Sequence, residues 1–288
     1  MSAAGVAGRL LAGRLLASSS SRRPPLTTVV PQLSSRPLST ASDAKIVVVG
    51  GSGFVGSAVC KAAVERGASV FSVSRAGKPA SKQIAGSTWA SQVTWLQGDA
   101  LEVADWPKDY LKGAAGVVSC VGSFGTHDFM RKICGEANVR VFDEAGKRGV
   151  ARAVFIGAHP FLEVAPARHL LRGYYEGKEM AEEALFANFS GGTGTSIRPG
   201  MIHGTRYVSD VPVPLSLVGK PLEVIFGNEG VRSAVGSLPL PFGLAGLLVP
   251  AASAERVAKA AVEALMGAIP EESHDRRVVD VWALRKQT

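Results

Sequence analysis

Two spacings in this chain bring together residue types suited to chemistry. The first is Gly50-x-x-Gly53-x-x-Gly56, inside the stretch IVVVGGSGFVGSAVC from Ile46 to Cys60. Glycines so placed allow a tight turn, close approach of a ligand to the backbone, and close packing of a helix on the preceding strand. The free N–H groups and dipole at the start of that helix then favour a phosphate. The second is Tyr174-x-x-x-Lys178 in YYEGKEMAEEAL. Four residues make about one helical turn, so a phenol and an ammonium share a face. A cation there lowers the phenol's pKa and prepares it to exchange a proton. Tyr175 takes the same part if the register shifts by one.

These groups need a scaffold, and the order of apolar and helical runs supplies one. KIVVVG (Lys45–Gly50), ASVFSVSR (Ala68–Arg75), QVTWLQGD (Gln92–Asp99), GVVSCVG (Gly116–Gly122), ARAVFIGA (Ala151–Ala158) and TGTSIRPG (Thr193–Gly200) read as six strands. Helical stretches over 53–66, 127–147 and 173–186 alternate with them. This alternation predicts an α/β, doubly wound parallel sheet, a Rossmann fold spanning residues 43–200. Beyond Gly200 prolines and glycines cluster and periodicity is lost until SAERVAKAAVEALMGA (Ser253–Ala268), a helix capped by Ser253, and a last strand in RRVVDVWAL. Residues 201–288 are therefore expected to form a small substrate lobe whose terminal helix and strand pack back on the sheet.

The glycine turn then lies at the carboxyl end of strand 1, where a doubly wound fold binds a dinucleotide. An Asp or Glu at the end of strand 2 would take a ribose 2′-hydroxyl. This chain has Ser74-Arg75 there, with Lys78 close behind. A guanidinium suits a 2′-phosphate, so NADP(H) is favoured over NAD(H).

Together these motifs resemble the short-chain dehydrogenase/reductase superfamily, in its extended or atypical branch. GGSGFVG is similar to its nucleotide turn, Gly98-Asp99 to its adenine-side element, YYEGK to its YxxxK, and SIRPGMIHG (Ser196–Gly204) to its strand-6 signature. The resemblance implies cofactor contacts at Gly50, Ser52, Gly53, Phe54, Val55, Gly56, Arg75, Asp99, Val121, Gly122, Lys178 and Pro199. It also implies that Tyr174 is the general acid/base and Lys178 its partner. The transit-like start and the YYEGKEMAEEAL helix look most like a mitochondrial subgroup. That subgroup includes the Rossmann-type accessory subunit of respiratory complex I and a fungal dehydrogenase-like protein of coenzyme Q biosynthesis.

One departure bears on catalysis. The family places a Ser or Thr after strand 5 to orient a substrate carbonyl, whereas FIGAHP puts Ala158 and His159 there. His159, Ser119 or Ser123 are the substitute donors, and Asn138 is a candidate for bracing the backbone nearby. Two functions follow. One is an oxidoreductase acting on a hydrophobic carbonyl or quinone-type substrate, with the apolar stretch Pro239–Pro250 as a lid or membrane-surface contact. The other is a non-catalytic NADPH-binding scaffold or assembly factor for a mitochondrial inner-membrane complex.

The first 42 residues carry five arginines, many serines and no acid before Asp43, with leucines and arginines on different sides of a helix in GVAGRLLAGRLLA. This composition predicts a mitochondrial transit peptide, a plastid one being the alternative. Subtracting those five charges from the formal net charge of +8 leaves +3 for residues 43–288. Nucleic-acid binding thereby loses its main support. No run has the roughly 18 continuous apolar residues of a membrane span. Cys60, Cys120 and Cys134 lack the spacing of a metal site and are expected to be free thiols.

Overall fold

The computed structural model describes residues 44–160, 167–208, 210–227, 249–266 and 277–286. The expected transit peptide and most of the Pro239–Pro250 stretch lie outside the described residues.

The chain runs β1 (Lys45–Val49), α1 (Phe54–Glu65), β2 (Ser69–Ser74), α2 (Lys82–Ala85), β3 (Val93–Gln97), β4 (Gly116–Ser119) and α3 (His127–Arg131). A π turn at Lys132–Glu136 leads into α4 (Ala137–Lys147), β5 (Arg152–Ile156), α5 (Ala167–Asn188) and β6 (Gly194–Arg198). Then come β7 (Ile202–His203), β8 (Thr205–Val208), β9 (Val211–Pro214), α6 (Ser216–Gly227), β10 (Ala252–Ser253), α7 (Ala254–Met266), β11 (Arg277–Asp280) and α8 (Val281–Lys286). Among the described residues, seven strands form one parallel sheet in the order β11-β6-β5-β4-β1-β2-β3. This is the doubly wound α/β fold expected from the sequence.

The near-continuous apolar β1 follows from burial on both faces. Ile46 and Val48 join one core with Val59, Val257, Ala261 and Leu265, under α1 and α7. Val47 and Val49 join the other with Val141, Phe142, Phe155 and Leu185, under α4 and α5. Chain order reverses between β1 and β4, so the crevice at their carboxyl ends is where such a sheet receives a ligand.

Four elements depart from the sequence expectation. Strand β4 ends at Ser119 and not at Gly122. Helix α5 begins at Ala167 and not at 173. The 127–147 helix is broken by the π turn. The terminal strand stops at Asp280, whose carboxylate accepts from the N–H groups of Trp282 (2.9 Å) and Ala283 (2.8 Å) and so starts α8 in place of further strand. Ser253 Oγ accepts from Arg256 N–H at 3.1 Å, the expected cap at the start of α7.

Candidate functional site: a nucleotide cleft beside a buried lysine

Val49 leads into Gly50, whose φ of +80° suits glycine, and Gly50 N–H donates to Val73 O at 2.8 Å. A Cβ on Gly50 would lie 3.3 Å from the Cys120 carbonyl carbon. Gly53 caps α1 with no side-chain bond, leaving the first helical N–H groups open. A Cβ on Gly56 would overlap the Gly50 carbonyl oxygen, so this glycine sets how closely α1 sits on the turn. Ser52 Oγ bonds Ser74 Oγ at 2.6 Å and donates to Lys78 O at 2.7 Å, tying the turn to the end of β2.

The cleft so formed has a volume of about 420 Å³. Of the residues expected from sequence, Gly50, Ser52, Gly53, Arg75, Asp99, Val121 and Gly122 line it. The other expected residues lie elsewhere. Gly56 packs beneath the turn, the Phe54 ring lies against Gly204, and Val55 packs on the core. Pro199 is buried behind the ends of β5 and β6, where its carbonyl accepts from His159 N–H at 2.8 Å. One Asp99 oxygen accepts from Leu101 N–H at 2.9 Å, and its second oxygen can take a further donor.

Several lining residues were not anticipated. Phe129, Ile133 and Ala137 form one wall. Their spacing of four along a helical stretch was a readable signal. Gly98, expected beside Asp99 from the adenine-side element, lines the cleft too, and a Cβ there would meet Trp106 Nε1 at 2.8 Å. Arg206, on β8, carries no such signal, since it falls where periodicity fails. Among the described residues neither Arg75 nor Arg206 has an ion-pair partner, so two uncommitted guanidiniums face one cleft. An open helix start, a backbone cradle that side chains would fill and two such cations together fit a dinucleotide phosphate.

Lys178 sits behind this cleft, 8% exposed. Its ammonium donates to Ile156 O at 2.7 Å and Val121 O at 3.4 Å, and lies 4.6 Å from the Phe155 ring centroid. Burial pushes its pKa down, with the Cys134 and Cys120 thiols opposing. A Cβ on Gly122 would lie 3.3 Å from Nζ. The close crossing of the π turn and α5 positions this lysine: a Cβ on Gly135 would be 3.0 Å from Gly177 Cα.

Tyr174 stacks on Phe124 at 4.9 Å between centroids. The sequence expectation that Lys178 lowers this phenol's pKa is not met. Burial pushes it up, with smaller contributions from Cys134 and Tyr175, while the ammonium is turned onto main-chain carbonyls. Tyr175 lines a second cleft of about 370 Å³ with Ala158, Lys178 and Arg198, and its hydroxyl donates to His159 O at 3.4 Å. Arg198 is held by Glu182 in that cleft. Burial lowers the His159 pKa, favouring the neutral ring.

Of the candidate hydroxyls, Ser119 is fully buried and donates to Asn138 Oδ1 at 2.5 Å. Asn138 is buried too and donates to Cys134 O (2.8 Å) and Val121 O (3.3 Å), bracing the π turn against the end of β4. Ser123 lines the nucleotide cleft. Burial raises the thiol pKa of Cys60, and that of Cys120 to about 12. Both are free, as is Cys134.

Residues 50–213 match the family described as NAD(P)H-binding. The chain belongs to that NAD(P)H-binding family. Its matched residues include the glycine turn, Arg75, Lys178 and Arg206. An uncharacterized chloroplastic protein of Arabidopsis thaliana is 41% identical over 209 residues, covering 71% of this chain and 68% of that protein. MIOREX complex component 2 of Saccharomyces cerevisiae is 38% identical over 79 residues, covering 27% of this chain and 28% of that one. The fold is shared with the Bordetella bronchiseptica enzyme WbmH in complex with NAD+, at a TM-score of 0.53 and 18% identity, over 82% of this chain and 74% of that one.

Proposed function

We propose that this NAD(P)H-binding protein takes NADP(H) in preference to NAD(H) and serves an oxidoreductase reaction of the short-chain dehydrogenase/reductase type, on a hydrophobic carbonyl or quinone-type substrate. The observation that carries the cofactor choice is Arg75: it stands at the end of β2 beside the glycine turn, without a carboxylate partner among the described residues. Bound in the cleft, NADP(H) would supply or accept a hydride.

The chain's own groups would do the rest. Gly50, Gly53 and the open start of α1 bind pyrophosphate. Asp99 offers an acceptor to the adenine amino group. Lys178 already places its ammonium between the ends of β4 and β5, where ribose hydroxyls can share it with Ile156 O. The Tyr174 phenol is protonated at neutral pH, the form that donates to a carbonyl oxygen, and burial shifts its pKa further up. Phe124, 66% exposed over Tyr174, and Phe129 at the cleft wall give an apolar approach for a greasy substrate.

One observation favours a second reading, a non-catalytic scaffold with NADPH as a structural ligand. Ala158 offers no hydroxyl to a substrate carbonyl, and the Ser119 hydroxyl is spent on Asn138. Losing one oriented donor costs about a hundredfold or more in rate. An organellar address fits both readings. The chloroplastic relative supports a plastid, and the shorter likeness to the yeast MIOREX complex component supports a place in a complex. Release of bound NADPH into excess NADP+ separates the two functions. Exchange within seconds, with turnover of quinone-like carbonyls, supports the enzyme; nucleotide that copurifies and leaves over hours supports the scaffold.

A further inference from the structure

We infer that strands β8 and β9 form a strap across the nucleotide cleft, with Arg206 meeting the phosphates of bound dinucleotide and Asp210 fastening the strap's far end to α2. The inference rests on the dinucleotide reading above and adds two residues to it.

The strap has a defined path. It starts at Gly204, where a Cβ would lie 3.2 Å from the Phe54 ring at the first residue of α1. Strand β8 then pairs antiparallel with β9 in a two-stranded sheet of its own, apart from the main one. Side chains alternate along it as a strand requires. Thr205 and Tyr207 face a groove above α1 with Ser57 and Trp89, while Arg206 between them lines the nucleotide cleft with Gly53 and Arg75. Prolines at 212 and 214 stiffen the return strand and remove N–H donors from it.

The far end is tied down at Asp210. Its carboxylate accepts from Lys82 N–H at 2.7 Å, and its carbonyl from Gln83 Nε2 at 3.4 Å. Lys82 opens α2, beyond β2, so the strap runs from the start of α1 to the loop that follows Arg75. Asp210 also has φ +68°, a left-handed conformation that only the surrounding contacts make worthwhile for a residue with a Cβ. The exposed guanidinium of Arg206 has no ion-pair partner among the described residues. A phosphate in the cleft would complete it.

The test measures NADPH release from the full chain by stopped-flow fluorescence, chasing with excess NADP+. Asp210→Gly removes the carboxylate and suits the positive φ, so the latch is lost without added strain. Expected is release about tenfold faster in Asp210→Gly, and about tenfold to a hundredfold faster in Arg206→Ala, as for loss of one charge-assisted hydrogen bond. The double variant is no faster than Arg206→Ala alone, because the latch acts by holding that guanidinium in place. Arg206→Lys, which keeps the charge, recovers part of the loss. Unchanged release in Asp210→Gly, or effects of the two substitutions that simply multiply, would overturn the strap while leaving dinucleotide binding intact. Absence of NADPH binding by the unaltered protein overturns both.

Discussion

The nucleotide cleft and the Tyr174–Lys178 region lie side by side at the carboxyl ends of the strands of one sheet, yet they are specified differently. Around the cleft the main chain sets the geometry: Gly50 has a positive φ, a Cβ on Gly56 would collide with the Gly50 carbonyl, and one on Gly53 would crowd that carbonyl at 3.0 Å. Around Tyr174 the geometry depends on where long side chains turn their polar ends. The lysine turns onto the Ile156 and Val121 carbonyls and the phenol onto an aromatic stack. A glycine spacing therefore reports structure directly, whereas a tyrosine–lysine spacing reports only a shared helix face.

The sharpest break of this comparison is Gly56→Ala. A methyl group there meets the Gly50 carbonyl, and α1 must lift from the turn. Stability should fall by about 3 kcal/mol, at the upper end for overpacking, and NADPH binding should be lost. Denaturant unfolding and a nucleotide titration read both. Wild-type stability in this variant would mean that α1 is not held by the turn.

In the other region, Tyr174→Phe keeps the stack on Phe124 and removes only the hydroxyl. Turnover of a quinone-type carbonyl should fall about a hundredfold or more with NADPH affinity and melting temperature unchanged, as for a lost general acid. Retained turnover would move the role to Tyr175, which shares a cleft with Lys178.

Next in size is Arg75→Ala. NADPH affinity should drop about tenfold to a hundredfold, while NADH affinity stays within about threefold, because only the 2′-phosphate loses its partner. An equal loss for both nucleotides would place Arg75 on the pyrophosphate.

The smallest effect sharpens the contrast, because it concerns a side chain held at a cost. Burial lowers the Lys178 pKa below its ordinary 10.5. Below the folded-state pKa both states are protonated and the penalty for the buried ammonium is full. As pH rises from there toward 10.5 the unfolded chain holds a proton that the folded chain has shed, so stability rises. Lys178→Met should flatten that slope and raise stability at pH 7 by about 1 kcal/mol, while weakening nucleotide binding. Unfolding curves at pH 7, 8.5 and 10 check the sign.

The sequence was readable where one physical requirement acts alone. Apolar runs such as IVVV and AVFI marked buried parallel strands to within a residue or two, and glycine spacing marked the cradle. Where two requirements compete it was not. In RRVVDVWAL apolar residues continue past Asp280, but its carboxylate caps a helix, and local hydrogen bonding overrides strand propensity. The π turn at Lys132–Glu136 leaves no trace in residue types; Asn138 is legible as a backbone brace, but only the fold shows that its amide compensates this turn at Cys134 O. Arg206 was illegible because a two-stranded hairpin with Pro212 and Pro214 has neither helical nor clean strand periodicity. For Tyr174 the spacing places phenol and ammonium on one helix face, but burial, which the spacing does not report, raises the pKa that the lysine was expected to lower.

Every role proposed for this protein depends on the cleft at the ends of β1, β2 and β4 taking NADP(H). Titrating the purified full-length chain with NADPH and with NADH, following nucleotide fluorescence, tests it most directly. Saturable binding of both is expected, with NADPH at least about tenfold tighter through the 2′-phosphate. Equal affinities, or binding of neither nucleotide, would contradict it.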